Sequence, residues 1–273
     1  HPDKTKWFAK FDWPRIPVPA IEFPVTDSNT EFLVQREEAS LALIRQAFAD
    51  NKDDICAIII EPVQAEGGDK HVRPEFLEQL RLLADENECF LIYDEVQTGV
   101  GLSGKFWCHE HFGEKARPDI LVFGKKMQVC GILVGKKVEE IEHNVFTVPS
   151  RLNSTWGGNL VDMVRASQIL RIIQKDGLVE HAAKVGAYLQ ARLTELSEKH
   201  EVMSNVRGRG LLSAFDFPDK IRRDKFIRKG FENDVMFIGC GVSTIRFRPA
   251  LIIEEADIDK GIEVMDRVLG ELG

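Results

Sequence analysis

Short apolar runs alternate with amphipathic stretches through the first half of the chain, and the two periods separate cleanly. Ile55–Glu61, Cys89–Asp94, Asp119–Phe123 and Gly131–Gly135 are brief and mostly apolar, which predicts strands, the first of them buried. Between the first two, Pro74 stands where a helix can start, and Phe76, Leu77, Leu80, Leu83 and Ala84 repeat at helical spacing. Strand, helix, strand in that order predicts parallel pairing, with the later two runs joining the same sheet. An alanine- and leucine-rich stretch from Glu37 to Asp50 predicts a further helix. Residues 1–30 are rich in proline and contain Trp7, Phe8 and Trp13, which predicts an extended segment pinned by its aromatics.

After Gly157-Gly158 the pattern changes. Leu160–Ile173 reads as a helix that ends at Asp176-Gly177. A second helix follows, with Ala182, Gly186, Leu189, Leu193 and Leu196 at alternating spacings of four and three. Strand-like pieces (Gly210–Phe217, Val235–Gly239, Thr244–Pro249) then alternate with helices near 220–233 and 255–271. An α+β module is expected there, with the boundary inside the long helical region near residues 160 to 175.

Composition narrows the function classes. The chain has 273 residues, and its 36 basic against 44 acidic side chains give a net charge of −8. That length fits one large or two ordinary domains. With no Lys/Arg-dense stripe, neither a nucleic-acid nor an anionic-membrane surface is expected. No apolar run approaches the ~18 residues of a membrane span. Five scattered cysteines (Cys56, Cys89, Cys108, Cys130, Cys240), without a C-x-x-C pair, read as reduced thiols of a cytoplasmic protein. The chain opens at His1 with neither a methionine nor a signal-like segment, as though it began part-way through a protein.

Three motifs invite chemistry and lose to plainer readings. Gly99-Val-Gly-Leu-Ser-Gly-Lys105 satisfies G-x-G-x-x-G, but Phe106 replaces the hydroxyl residue a triphosphate loop needs. It also does not open a helix directly after a strand, as a dinucleotide loop would. A glycine-rich surface turn is expected. In His109-Glu110-His111 no third ligand lies nearby, so a solvated turn is expected rather than zinc. Cys108 and Cys130 lack a local histidine partner and read as buried or idle thiols.

Asp94 and Lys125 are more informative. Phe90-Leu-Ile-Tyr-Asp94-Glu95 brings two carboxylates to the C-terminal end of an apolar strand, where open parallel sheets place their ligands. Ile120-Leu-Val-Phe-Gly-Lys125-Lys126 brings an amine to the end of another. A lysine leaving a buried run can be desolvated, which favours the neutral amine needed for a Schiff base, and a carboxylate can keep a pyridine nitrogen protonated. Pyridoxal phosphate chemistry requires such a pair. Two ordinary strand-end charges fit the same spacing.

Ile60-Glu-Pro-Val-Gln-Ala-Glu-Gly-Gly-Asp69, Tyr93-Asp-Glu-Val-Gln-Thr-Gly99, Pro118-Asp-Ile-Leu-Val-Phe-Gly-Lys-Lys126 and Ser154-Thr-Trp-Gly-Gly158 follow one another in the order and spacing of class III (ω-amino acid) aminotransferases. The resemblance extends over nearly the whole chain. It implies an α/β architecture of fold-type I. Residues 1–165 would form part of the large, mainly parallel-sheet domain, and 166–273 a linker helix with the small C-terminal α+β domain. It also implies pyridoxal 5'-phosphate as cofactor and a homodimer with shared active sites. Within the class, Phe11-Asp-Trp-Pro-Arg15, Phe123–Gly131 and Pro149–Leu160 most resemble the branch that moves the terminal amino group of L-lysine to 2-oxoglutarate, giving 2-aminoadipate 6-semialdehyde and glutamate. Relatives acting on 4-aminobutyrate or other ω-amino acids come second, then an aminomutase or a non-catalytic remnant.

Carried over position by position, the resemblance makes Lys125 the Schiff-base lysine and proton-shuttling base, with Lys126 a surface or packing neighbour. Asp94 becomes the pyridinium partner, Val96 the apolar contact to the ring and Gln97 the partner of the ring hydroxyl region. Thr155 would reach the cofactor phosphate of the other subunit. In Thr244-Ile-Arg-Phe-Arg248 the period of two puts both arginines on one face. Arg246 is expected to hold the α-carboxylate of 2-oxoglutarate through paired hydrogen bonds, and Arg248 to be structural. Glu66 would mask Arg246 while the amino donor is bound, and Asn153 would touch substrate. Beside the family the chain looks like its C-terminal three fifths, so alone it is expected to bind cofactor poorly and to turn over nothing.

Overall fold

The computed structural model describes residues 6–152 and 154–272. Helix α1 (Asp27–Asp50) leads to strands β1 (Ala57–Ile60), β2 (Val63–Gln64) and β3 (Lys70–His71). Helix α2 (Pro74–Glu86) then returns the chain to β4 (Phe90–Asp94), which is followed by β5 (Ile120–Phe123) and β6 (Gly131–Val134). Four of these strands form one sheet in the order β1-β4-β5-β6. As expected, β1, β4 and β5 run parallel, with Ile60 opposite Tyr93 and Asp94 opposite Val122. In α2 the five residues at helical spacing are the five buried ones. Each fully buried leucine among them contributes about 1.5–3 kcal/mol.

β6 joins the sheet as expected and is antiparallel to β5, because a tight turn through Lys125–Met127, with Gln128 left-handed, joins them where a parallel pair needs a long crossover. Three sequence expectations are corrected. Helix α1 starts ten residues before Glu37. Thr26 caps it reciprocally with Asn29, whose amide does the work of the more familiar Glu or Gln. Trp7, Phe8 and Trp13 pin nothing, at 86%, 73% and 67% exposed; Trp13 only stacks on Phe11. The first segment is held instead by Ile21 N–H to His71 O and Phe23 N–H to the Asn205 side chain. The glycine-rich turn 99–104 is interior, not surface. Leu211 N–H donates to Leu102 O, and a Cβ on Gly104 would sit 3.0 Å from Ala183.

The second half begins with α3 (Lys136–Glu139), α4 (Leu160–Lys175) and α5 (Leu178–Lys199), followed by β7 (Ser204–Arg209) and β8 (Leu212–Asp216). Then come α6 (Lys220–Glu232), β9 (Ile238–Cys240), β10 (Thr244–Phe247) and α7 (Glu255–Gly270). These strands form a second, antiparallel sheet ordered β7-β8-β10-β9. The polar strand β7 had no apolar signature in the sequence. One contiguous core joins both sheets, from Leu91 and Tyr93 through Leu189 and Leu193 to Phe215 and Ile245. Among the described residues no helix is long and apolar enough to cross a membrane.

Candidate active site

Parallel pairing brings three chain segments to one edge. Glu61 follows β1, Asp94 ends β4, and Gly124-Lys125 follows β5, so three functional side chains leave neighbouring strands at their C-terminal ends. The Asp94 carboxylate is oriented by Val96 N–H, at 3.0 Å. Glu61 accepts from Ala65 N–H at 3.2 Å. Burial raises the Glu61 carboxyl above its usual range and the charge of Asp94 adds to that, while the Ala65 N–H, Lys125 and Arg246 oppose it. Glu61, Asp94, Lys125 and Arg246 therefore share one electrostatic environment. Sequence reasoning missed Glu61, although it is the second residue of the quoted segment Ile60–Asp69.

Glu95, the second strand-end carboxylate, serves the fold. It is buried and accepts from Cys108 N–H, His109 N–H (2.8 Å) and His109 Nδ1 (2.9 Å). His111 Nε2 lies 2.9 Å from Ser103 O. The His109–His111 segment is thus anchored inward rather than solvated, because a buried carboxylate organises it. Gln97 is buried with its Oε1 lacking a hydrogen-bond partner. Gly124 lies against Val96, where a Cβ would come within 3.4 Å of a Val96 methyl.

The desolvation argument moves from one lysine to its neighbour. Lys125 is exposed, at the start of the turn off the sheet edge, with φ +41°. Lys126 is the half-buried one. Burial, together with the positive charges of Arg248, Lys125 and Arg246, lowers its amine to about 8. Arg248, expected to be structural, is exposed.

Glu66 and Arg246, 180 residues apart, do meet: Arg246 Nη2 donates to Glu66 Oε2 at 3.2 Å. Arg246 is buried on β10, and its Nε and Nη1 have no hydrogen-bond partner. Asp69 also approaches it, with Oδ2 4.0 Å from Nε. Arg207 clamps the loop that carries both acids, donating to Gly68 O and Asp69 O at 2.6 and 2.7 Å. Gly241 N–H donates to Glu66 O, and a Cβ on Gly241 would stand 2.9 Å from Gly68 Cα, so the loop seats closely on the β9–β10 turn. Thr155 is exposed in the segment before α4 and, among the described residues, forms no hydrogen bond to this group. Asn153 lies outside the described residues.

A lysine and two carboxylates at the end of a parallel sheet, with a buried guanidinium from the second sheet acting on them, agree with the family signature read over residues 4–269, that of aminotransferase class III. The chain belongs to the class III aminotransferases. Members of this class depend on pyridoxal phosphate. Among its relatives are the L-lysine-epsilon aminotransferases of Mycobacterium bovis and Amycolatopsis lactamdurans. The first is 46% identical across 98% of this chain and 59% of its own length, the second 42% identical across 100% and 60%. This class III chain thus spans about three fifths of the curated relatives it matches. The solved lysine aminotransferase from M. tuberculosis in the internal aldimine form superposes with a TM-score of 0.95. It is 44% identical, with 100% of this chain and 62% of that one covered.

Proposed function

We propose that the protein transfers the terminal amino group of L-lysine to 2-oxoglutarate with pyridoxal 5'-phosphate, giving 2-aminoadipate 6-semialdehyde and glutamate. The meeting of Asp94 and Lys125 at one sheet edge, with Arg246 of the second sheet acting on the same Glu61, carries the reading, and 42–46% identity to L-lysine-epsilon aminotransferases supports the donor. The residues present fit the cofactor. Buried Gln97 has an orphaned Oε1 facing no protein donor, and Gly124 keeps the backbone beside Val96 free of side-chain bulk. The cofactor, when bound, supplies an electron sink for the carbon that loses its proton.

In this reading Lys125 would hold the cofactor and carry the proton, and its exposure leaves it room to reach both positions. Asp94 would keep the ring nitrogen protonated, with Glu61 beside it as a second acid. Val96 would give the ring an apolar contact, and Gln97 would hydrogen-bond the ring hydroxyl region. Glu66 masks Arg246 while the donor is bound and withdraws when the keto acid's carboxylate arrives; Asn153 contacts substrate. Residues 1–165 supply the cofactor-binding part, and 166–273 the linker helix and small domain.

The protein acts as a homodimer in the same reading, Thr155 serving the partner's cofactor phosphate. Trp156, Leu160 and Val161 beside it are 77%, 81% and 73% exposed, an apolar face suited to a second copy. The test uses the product of the full reading frame. Lys125→Ala should abolish both the visible absorbance of bound cofactor and glutamate formation, and retained turnover would sink the assignment. Offering L-lysine, 4-aminobutyrate and L-ornithine in turn, with 2-oxoglutarate as acceptor, tests the donor.

A further inference from the structure

Two carboxylates of one loop approach the guanidinium of Arg246, and they differ in exposure and in how firmly each is held. Glu66 has a side chain 55% exposed and can turn toward solvent. Asp69 is 1% exposed on a loop whose backbone Arg207 holds, at a residue with φ +44°. Its Oδ1 has no hydrogen-bond partner, and its Oδ2 stands 4.0 Å from Arg246 Nε. Glu66 is placed to leave Arg246; Asp69 is not.

We infer that Asp69 is a positioning residue whose charge state sets how tightly Arg246 binds the carboxylate of the amino acceptor, an inference resting on the keto-acid reading above. A neutral Asp69 leaves the whole guanidinium charge for the incoming anion. An ionised Asp69, fixed with Oδ2 4.0 Å from Nε, neutralises part of that charge and leaves less of it for the acceptor.

The groups facing Asp69 come from every element around it: Arg246 of β10, Arg207 of β7, Glu61 after β1, Asp216 of β8 and the Cys240 thiol of β9 at 3.9 Å. Burial, with the two acids, outweighs the pull of the two arginines and lifts the Asp69 carboxyl to about 8. If the neutral form is the one that binds, apparent affinity follows the neutral fraction. That fraction falls about tenfold between pH 7 and 9 for a midpoint near 8. Lys126, which titrates in the same range beside Arg246, is the competing cause.

The experiment is a calorimetric titration of the full-length protein with glutarate, a dicarboxylate that stays doubly ionised throughout and cannot be transaminated. The expected dissociation constant rises about tenfold from pH 7 to pH 9 in the wild type, and by about twofold or less in Asp69→Asn. An unchanged tenfold rise in Asp69→Asn moves the effect to Lys126 and overturns the inference. So does a wild-type constant that is flat with pH or glutarate that fails to bind at pH 7, and neither measurement needs a variant. A protein that converts no L-lysine yet loses the glutarate pH step in Asp69→Asn refutes the L-lysine donor while leaving the acceptor site and this inference standing.

Discussion

Arg207 lies 3% exposed behind the site and spends its guanidinium on four acceptors. These are Asp69 O (2.7 Å), Gly68 O (2.6 Å), Asn205 O (2.6 Å) and Asp216 Oδ1 (2.9 Å). Arg207→Leu fills similar space and removes all four donors. Removing one partner of a buried ion pair costs about 3–5 kcal/mol. Asp216 keeps two other donors, Asn205 Nδ2 at 2.7 Å and Thr244 Oγ1 at 2.6 Å, so the low end, about 3 kcal/mol, is expected. With a urea slope of about 3 kcal/mol/M, the unfolding midpoint should fall by about 1 M. Arg192→Leu is the control. That arginine is 32% exposed and paired with Glu195 and Asp259, and its loss should cost less than about 1 kcal/mol. Faster hydrogen exchange at Asp69 N–H, which donates to Ala65 O, should accompany the Arg207 change as the loop loosens. A midpoint shift no larger than that of Arg192→Leu would refute the claim that Arg207 clamps the acidic loop.

Two further predictions rest on burial. His71 is buried, and burial with the charges of Arg209, Arg207 and His111 lowers its pKa to about 3, so it stays neutral in the folded protein. The unfolded chain takes up a proton near pH 6.5 that the folded chain refuses. Stability present above that pH should therefore decline as pH falls toward 3, by at most about 1.4 kcal/mol per unit. Urea midpoints across pH 7 to 4 should decline less in His71→Leu, and parallel curves would contradict this. Gly210 has φ +56°, and a Cβ there would meet backbone atoms of Ser103 and Gly104 at 2.4 and 2.5 Å. Gly210→Ala should cost about 2–5 kcal/mol from left-handed strain and overpacking. Gly261→Ala, in open space on α7, should be neutral or stabilising by up to about 1 kcal/mol. Thermal melts compare the two, and equal midpoints would count against the buried-turn account.

Periodicity and local motif were enough for the parallel strands, for α2 and α5, and for the positions of Asp94 and Lys125, because strand and helix periods are local properties of the chain. Asp94 and the segment before Lys125 announce themselves as polar groups ending apolar runs, and parallel pairing must carry such ends to one edge. What the sequence could not reveal depends on partners remote along the chain. Nothing local marks the Gly99–Gly104 turn as buried, since Gly210 and Ala183 cover it. The polar strand β7 is held by β8 rather than by its own pattern. The direction of β6 follows from a tight turn, not from its apolar residues. Burial likewise chose between Lys125 and Lys126, because desolvation depends on the arginines and walls that surround an amine rather than on the run it leaves. The sequence by itself determined which residue types meet at the sheet edge. Only the tertiary structure decided their electrostatics, bringing Glu61 under the charge of Asp94 and Asp69 to 4.0 Å from Arg246, because charge and burial are sums over neighbours that the fold brings together from distant parts of the chain.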